Sequence, residues 1–404
     1  MKKDFSKSLI ILGGGVHQLP YVKYCKSNNI KVIVLDKNSN AICKEIADIF
    51  IALPISNSNS SDIIESLKPI NHNNPFSGVL SPGVELAVLA SRIANYFNLK
   101  SINLRAAEAA TNKILRLRLL KDNNIPIPEF EVVKSIEDAN MEIPFVIKKE
   151  EGSGSRGVSV IRSKKDLISN MRKYPLDKDK SYLIEKYHEG YEVSIEAFIY
   201  NKKYYYYCFS IRDIEILENG EVIEYGSLSE PKLPQDQRKK ICNIFEDGCN
   251  ALGITEGPAK GDILYTKDGP KIIEIAARSA PLAPLIAKKV YGIDMVQVLI
   301  KWSLGEEIKS ILQSPIPFND ANSICHMILG HTKGILLKIE NIEEIQKLDC
   351  VINFTKLQEF VTPMTLEEPN NVNRLMYIVT IASNSDVAYK YAKNALSKIK
   401  LIYQ

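Results

Sequence analysis

The first hundred residues alternate between short apolar runs and amphipathic stretches. SLIILGG, KVIVLD, DIFIAL and FSGVLSPG read as strands, with helices predicted through Tyr21 to Asn28, around Ala41 to Ala47 and along VELAVLASRIANYF. Apolar strands separated by helices build a parallel sheet with helices on its faces. Gly13, Gly14 and Gly15 sit where the first strand meets a helix, and Asp36 ends the second strand about twenty residues on, the general layout of a dinucleotide or phosphate site. GGGVHQ departs from GxGxxG, however. The reading is therefore a tight turn at the carboxyl edge of a sheet, open to some other small molecule.

A further helical pattern, AAEAATNKILRLRLLKDNN, carries Lys113 and stops at IPIPEF, whose two prolines suit a linker. The periodicity then changes. PFVIKKE and GVSVI are apolar, β-branched runs flanking EGSGSRG, and they read as two strands joined by a glycine-rich loop. Glycines there let backbone N–H groups approach phosphate oxygens, and Lys148 on the preceding strand supplies a point charge. The same segment is equally readable as a hairpin without a ligand. SYLIEKYHEGYEVSIEAFI carries Glu185 and Lys186 into a short turn and Glu192 into another strand, charges that taken alone also suit a solvated edge.

In GDILYTKDGPKIIEIAARSAP, Ile263 to Tyr265 read as a strand, Lys267 to Gly269 as a turn and Lys271 to Ala276 as the returning strand. Asp262 and Glu274 then project from neighbouring strands toward one point. Two carboxylates suit Mg²⁺, which takes one or two protein acids and completes its octahedron with water and substrate phosphates.

Composition narrows the class without naming it. A chain of 404 residues, 45% hydrophobic and 25% charged, has material for two or three globular domains. Fifty-two basic against 48 acidic side chains leave a formal charge of +4. No long basic block with interleaved aromatics tracks nucleic acid, so no nucleic-acid partner is expected. The seven cysteines are odd in number, scattered and without a CxxC pair, which predicts reduced thiols, mostly as core residues. Leu9 to Leu12 is too short for a signal sequence, and no run approaches the roughly 20 apolar residues of a membrane helix, so a cytoplasmic protein with no membrane partner is expected. His326 and His331 lie five apart without the glutamate of HExxH, which argues against a zinc protease.

Taken in order, Lys113, Lys148 with GSGSRG, Glu185-Lys186, Glu192, Asp262, Glu274 and Arg278 form a set that resembles the ATP-grasp superfamily from roughly Ser8 to the C-terminus. The resemblance implies an α/β and α+β architecture: a Rossmann-like (pre-ATP-grasp) parallel-sheet domain over 1–107, a lid subdomain with the glycine-rich loop over 108–190, and a catalytic domain with a small terminal α+β subdomain over 191–404. The tail looks like that of carboxylate-amine ligases in the carbamoyl-phosphate-synthetase-like and L-amino-acid-ligase branch, where an arginine matching Arg374 precedes a strand and a final helix.

The resemblance also implies roles. Lys113 and Lys148 would contact the phosphates of ATP, with Gly152, Ser153, Gly154, Ser155 and Gly157 closing over them. Glu185, Lys186, Tyr187 and His188 would form the adenine hinge and Glu192 would hold the ribose. Asp262 and Glu274 would hold Mg²⁺, with Mn²⁺ as an alternative. Arg278 would be the catalytic residue at the transferred phosphoryl group; counted four residues past Glu274, it is expected on the same strand and, by period two, on the same face. Two departures stand out: Ala276 replaces the asparagine that commonly completes the metal shell, and Ser279-Ala280-Pro281 replaces a Gly-Gly pair. The acceptor pocket is expected from Ser210 to Gly226, with Arg212, and from the 279–284 turn. The expected activity joins a carboxylate to an amine, through an acyl phosphate, with release of ADP and phosphate. An ATP-dependent carboxylase or carbamoyl-phosphate-type enzyme and a non-catalytic nucleotide binder are the alternatives. Small-molecule carboxylate and amine substrates are the expected partners, and homodimers, common among such relatives, remain open.

Overall fold

The computed structural model describes residues 5–135, 138–150, 157–175, 180–312, 322–357, 360–371 and 373–404. Strands β1 (Lys7–Leu12), β2 (Ile30–Asp36), β3 (Ile49–Ala52) and β4 (Gly78–Leu80) form a parallel sheet in the order β3-β2-β1-β4. The apolar runs fill it: Leu9 to Leu12 and Val32 to Leu35 are fully buried, as a sheet covered on both faces requires. The helix expected around Ala41 to Ala47 is absent. That stretch is a series of turns in which Ala47 N–H reaches only Cys43. The glycine turn closes on itself, because Gly14 N–H donates to Asp36 at 2.6 Å. Asp36 is thereby committed to the turn.

The predicted single helix around Lys113 is two, Leu104–Thr111 and Lys113–Asp122. Asn112 between them has extended backbone (ψ 112°), which stops the first helix, and its side chain accepts from Leu115 N–H, which caps the second. Lys113 therefore opens a helix, and Arg116 lies one turn on along the same face.

Strands β5 (Phe130–Val133), β6 (Phe145–Lys149), β7 (Ser159–Ile161) and β8 (Tyr182–Lys186) form a small antiparallel sheet, ordered β5-β8-β6-β7. The chain then supplies β9 (Gly190–Tyr200), β10 (Lys203–Ile216), β11 (Val222–Ser229), β12 (Gly257–Thr266), β13 (Gly269–Ala276) and β14 (Ser323–Ile328), six strands of an eight-stranded sheet. After β15 (Gly334–Glu340) come β16 (Val351–Lys356), β17 (Met364–Leu366), β18 (Met376–Ala382) and β19 (Lys400–Tyr403). The large sheet runs β13-β12-β9-β10-β11-β14-β18-β16, and β17-β15-β19 form a separate sheet.

Period two sorts β9 into two faces. Val193, Ile195 and Ala197 are fully buried in the core with Ile241 and Phe245 of the helix Gln235–Ala251; Glu192, Ser194 and Glu196 take the other face. On β12, Gly261 keeps its place because a Cβ there would lie 2.6 Å from the Phe245 ring. The opposite face of β12 is thus left to Lys260 and Asp262.

Candidate active site

The ladder lines up the acids. Asp262 on β12 stands directly opposite Glu274 on β13 and opposite Ser194 on β9, while Lys260 pairs with Glu196. Directly opposed residues share a face of the sheet, so one polar face carries Glu192, Ser194, Glu196, Lys260, Asp262 and Glu274. Asp262 is 4% exposed and receives Lys260 Nζ at 2.6 Å on both oxygens, with Arg212 at 3.6 Å. Burial pushes its pKa up, but Lys260 and Arg212 outweigh burial and hold the carboxyl well below the usual range. Glu274 is half-buried and has neither hydrogen bond nor ion pair among the described residues. Its pKa is also lowered, because the field of Arg116, with Lys260 and Arg278, outweighs burial and the neighbouring Asp262. The site thus keeps two acids ionised, one of them uncommitted. Among the described residues no third His, Cys, Asp or Glu joins them as a metal cluster. Such a pair fits Mg²⁺, which would draw its other ligands from phosphate and water.

A cavity of about 390 Å³ lies on one side of this pair, between the small antiparallel sheet and the large one. Lys113, Arg116, Lys148, Glu192, Asp262 and Glu274 line it. Lys148 Nζ is 2.6 Å from Glu185 Oε2, both nearly buried. Burial pulls the Lys113 ammonium below the usual lysine range; Arg116 and Lys148 add to this, against the pull of Glu274. Three cations thus share one water-poor wall, and an anion would relieve their repulsion. Lys186 points its ammonium to Glu129 at 3.0 Å and is exposed, while Tyr187 N–H meets Pro144 O at 3.4 Å. His188 Nε2 is buried with no hydrogen-bond partner among the described residues, and burial lowers its pKa. Glu192 binds Arg212 at 2.6 Å, and burial raises its pKa despite that cation. Gly157 sits at φ +72°, in the left-handed region. Gly152, Ser153, Gly154 and Ser155 lie outside the described residues.

A second cavity, about 350 Å³, opens on the other side of the pair and shares Arg212, Glu224, Asp262 and Glu274 with the first. Its further walls include Glu85, Glu196, Arg278, His326, Arg374 and Tyr377. Arg212 bridges Glu192 and Glu224 (3.1 Å), and Arg374 donates to Glu224 O at 2.9 Å. His326 packs edge-on to Tyr377, with ring centroids 4.8 Å apart, and burial pushes its pKa down to about 4, so it is neutral near pH 7. His331 is not part of either wall.

Arg278 differs from its expected place. The strand ends at Ala276, and Arg278 lies in the bend beyond it, where Nε donates to Glu85 at 2.6 Å. It still borders the second cavity. Arg116, Lys260, Glu85 and Glu196 were not anticipated. The i to i+3 spacing of Lys113 and Arg116 and the alternation in EVSIEA were the available signals; nothing local marks Glu85, which only tertiary folding brings in.

The ATP-grasp domain family matches residues 110–280. A phosphoribosylamine–glycine ligase of Halalkalibacterium halodurans is 24% identical over 424 aligned positions, covering 97% of this chain and 93% of that one. The crystal structure of L-amino acid ligase from Bacillus licheniformis superposes with TM-score 0.86 at 19% identity, over 100% of both chains. The ADP complex of an N5-carboxyaminoimidazole ribonucleotide synthetase does so with TM-score 0.73 at 17% identity, over 98% of each.

Proposed function

The chain carries an ATP-grasp domain at residues 110–280, and from that premise we propose that it is an ADP-forming ligase that activates a carboxylate as an acyl phosphate and joins it to an amine. Amino acids or amino-acid-like metabolites are the proposed substrates. One observation carries this reading: two cavities of similar size meet at the wall formed by Asp262 and Glu274. One is rich in cations, as a nucleotide triphosphate requires, and the other carries both acids and arginines, as a carboxylate and an amine require.

A carboxylate is a poor electrophile until one oxygen is phosphorylated. Lys113, Arg116 and Lys148 would hold phosphate oxygens, and His188 and Glu185 would meet the base. Asp262 and Glu274 would hold Mg²⁺, which when bound supplies charge neutralisation at the phosphates. Arg278 borders the second cavity beside this pair, and its guanidinium would orient the attacking carboxylate and balance charge as it moves to the acyl phosphate. The reaction is then a matter of position and field, which a set of strand-borne side chains provides. No helix among the described residues is long and apolar enough to cross a membrane.

ADP release measured with the twenty standard amino acids, singly and in pairs, tests the reading. Release that requires both a carboxylate and an amine supports it. Release driven by bicarbonate alone would favour a carboxylase, and ATP binding with no turnover a nucleotide sensor.

A further inference from the structure

Glu196 occupies the floor of the second cavity, and the phosphoryl transfer described above does not use it. It is 1% exposed, lies opposite Lys260 in the ladder, and shares a strand face with Glu192. Oε2 accepts from Ala280 N–H at 2.9 Å and from the Tyr207 hydroxyl at 3.2 Å. Oε1 has no hydrogen-bond partner among the described residues, and the carboxyl borders the cavity. Ala280 follows Arg278 by two residues, so the same turn that sets the arginine also sets this carboxyl.

We infer that Glu196 is the catalytic base that takes a proton from the attacking amine. The inference rests on the ligase reading and assigns a role that the reading leaves open. The other acids of this cavity are committed: Glu85 to Arg278, Glu224 to Arg212, and Asp262 to Lys260. Glu274 stands opposite Asp262 and is held ionised by surrounding cations, which makes it a metal ligand and a weak base. His326 is a weak base too, its affinity for protons lowered by burial. Glu196 is bounded by Lys260, Arg278, Tyr207, Cys208 and Tyr21, and burial, offset by the Ala280 N–H and Lys260, pushes its pKa up to about 7. A carboxyl with that affinity takes and returns protons near neutrality.

An amino group arrives as an ammonium ion and is not a nucleophile in that form. Glu196 accepts one proton, the freed nitrogen lone pair forms the bond to the acyl carbon, and the bond from that carbon to the phosphate oxygen breaks. The second proton leaves the nitrogen with the departing phosphate, so the amide, hydrogen phosphate and protonated Glu196 balance the step.

Hydroxylamine separates this role from a structural one, because it is largely unprotonated at neutral pH and needs no base. Wild type and Glu196→Gln are compared with the twenty standard L-amino acids, once with a second amino acid as acceptor and once with hydroxylamine. The expected result is a loss of about 10²–10⁴-fold in amide formation by Glu196→Gln, with hydroxamate formation and calorimetric ATP affinity unchanged. Equal loss with both acceptors, or no loss with either, overturns the assignment of Glu196 while leaving the ligase reading intact. A wild type that makes neither product overturns the ligase reading, and the assignment with it. If Glu196→Gln does not fold, Glu196→Asp keeps the charge but withdraws it by one methylene, and the same split between acceptors is expected.

Discussion

Arg278 Nε donates to Glu85 Oε2 at 2.6 Å across 193 residues of sequence, tying the bend after β13 to the loop after β4. Nη1 donates to Ser279 O at 3.3 Å, and Nη2 has no partner among the described residues. The ion pair therefore fixes the guanidinium plane and leaves one edge to the cavity. A lysine at this position cannot hold Glu85 and a carboxylate or phosphoryl group together. Arg278→Lys is expected to lower kcat about 10²-fold or more with ATP affinity kept. Glu85→Gln is expected to lower it less, by loosening the arginine. Wild-type kcat with a lower melting temperature would make Arg278 a structural residue.

The buried pair of Lys148 and Glu185 has two consequences in one substitution. Lys148→Ala removes a charge-assisted phosphate contact worth about 1.5–3 kcal/mol and also strands a buried carboxylate. ATP affinity and melting temperature should both fall. Adding Glu185→Gln should restore the melting temperature without restoring the affinity. Calorimetry and thermal melts read the two effects separately, and unchanged affinity in Lys148→Ala would remove that lysine from the nucleotide site.

Glu274→Gln is nearly isosteric and breaks no ion pair among the described residues. Its melting temperature should stay near wild type while ADP formation falls by about 10² or more. Asp262→Asn differs, since Lys260 loses its partner and Arg212 one of its three carboxylates, so both stability and turnover should drop. Normal turnover of Glu274→Gln at saturating Mg²⁺ would contradict the metal assignment.

Stability should depend on pH through two buried groups with different signatures. Glu196 has a folded pKa raised above its unfolded value, so the native state retains a proton that the unfolded chain has released. Its contribution is full at low pH and is lost as pH rises through about 7. Glu196→Gln should therefore melt a few degrees higher than wild type at about pH 8 and show no such gain at about pH 4. His326 has a lowered folded pKa and is neutral when buried. Its contribution is full above 6.5 and is lost as pH falls toward about 4. His326→Gln should flatten that acid limb. Scanning calorimetry across this range checks both, and parallel curves for wild type and variant would contradict either assignment.

Much of the fold was legible because period two and β-branched runs mark strands wherever one face is buried. The Asp262 and Glu274 hairpin was readable in its turn and its opposed acids, which are local, although its strands run longer than the reading, Gly257–Thr266 and Gly269–Ala276. The break at Asn112 was missed because both flanking stretches carry helical residues, and a single asparagine serves as the stop of one and the cap of the next. Arg278 was placed on the strand by counting, but pairing ends at Ala276. The contacts Arg278–Glu85 and Glu196–Ala280 join segments 193 and 84 residues apart, and no local pattern announces them.

In the proposed reaction a substrate carboxylate attacks the γ-phosphorus of ATP. That attack carries one carboxylate oxygen into the released phosphate. The direct measurement is turnover with an ¹⁸O-carboxylate amino acid and an amine, followed by phosphorus magnetic resonance of the product phosphate. One ¹⁸O atom per phosphate released, dependent on Arg278 and Glu274, is the predicted result. Phosphate free of label during amide formation, or ADP release at the same rate without any carboxylate, would contradict the account.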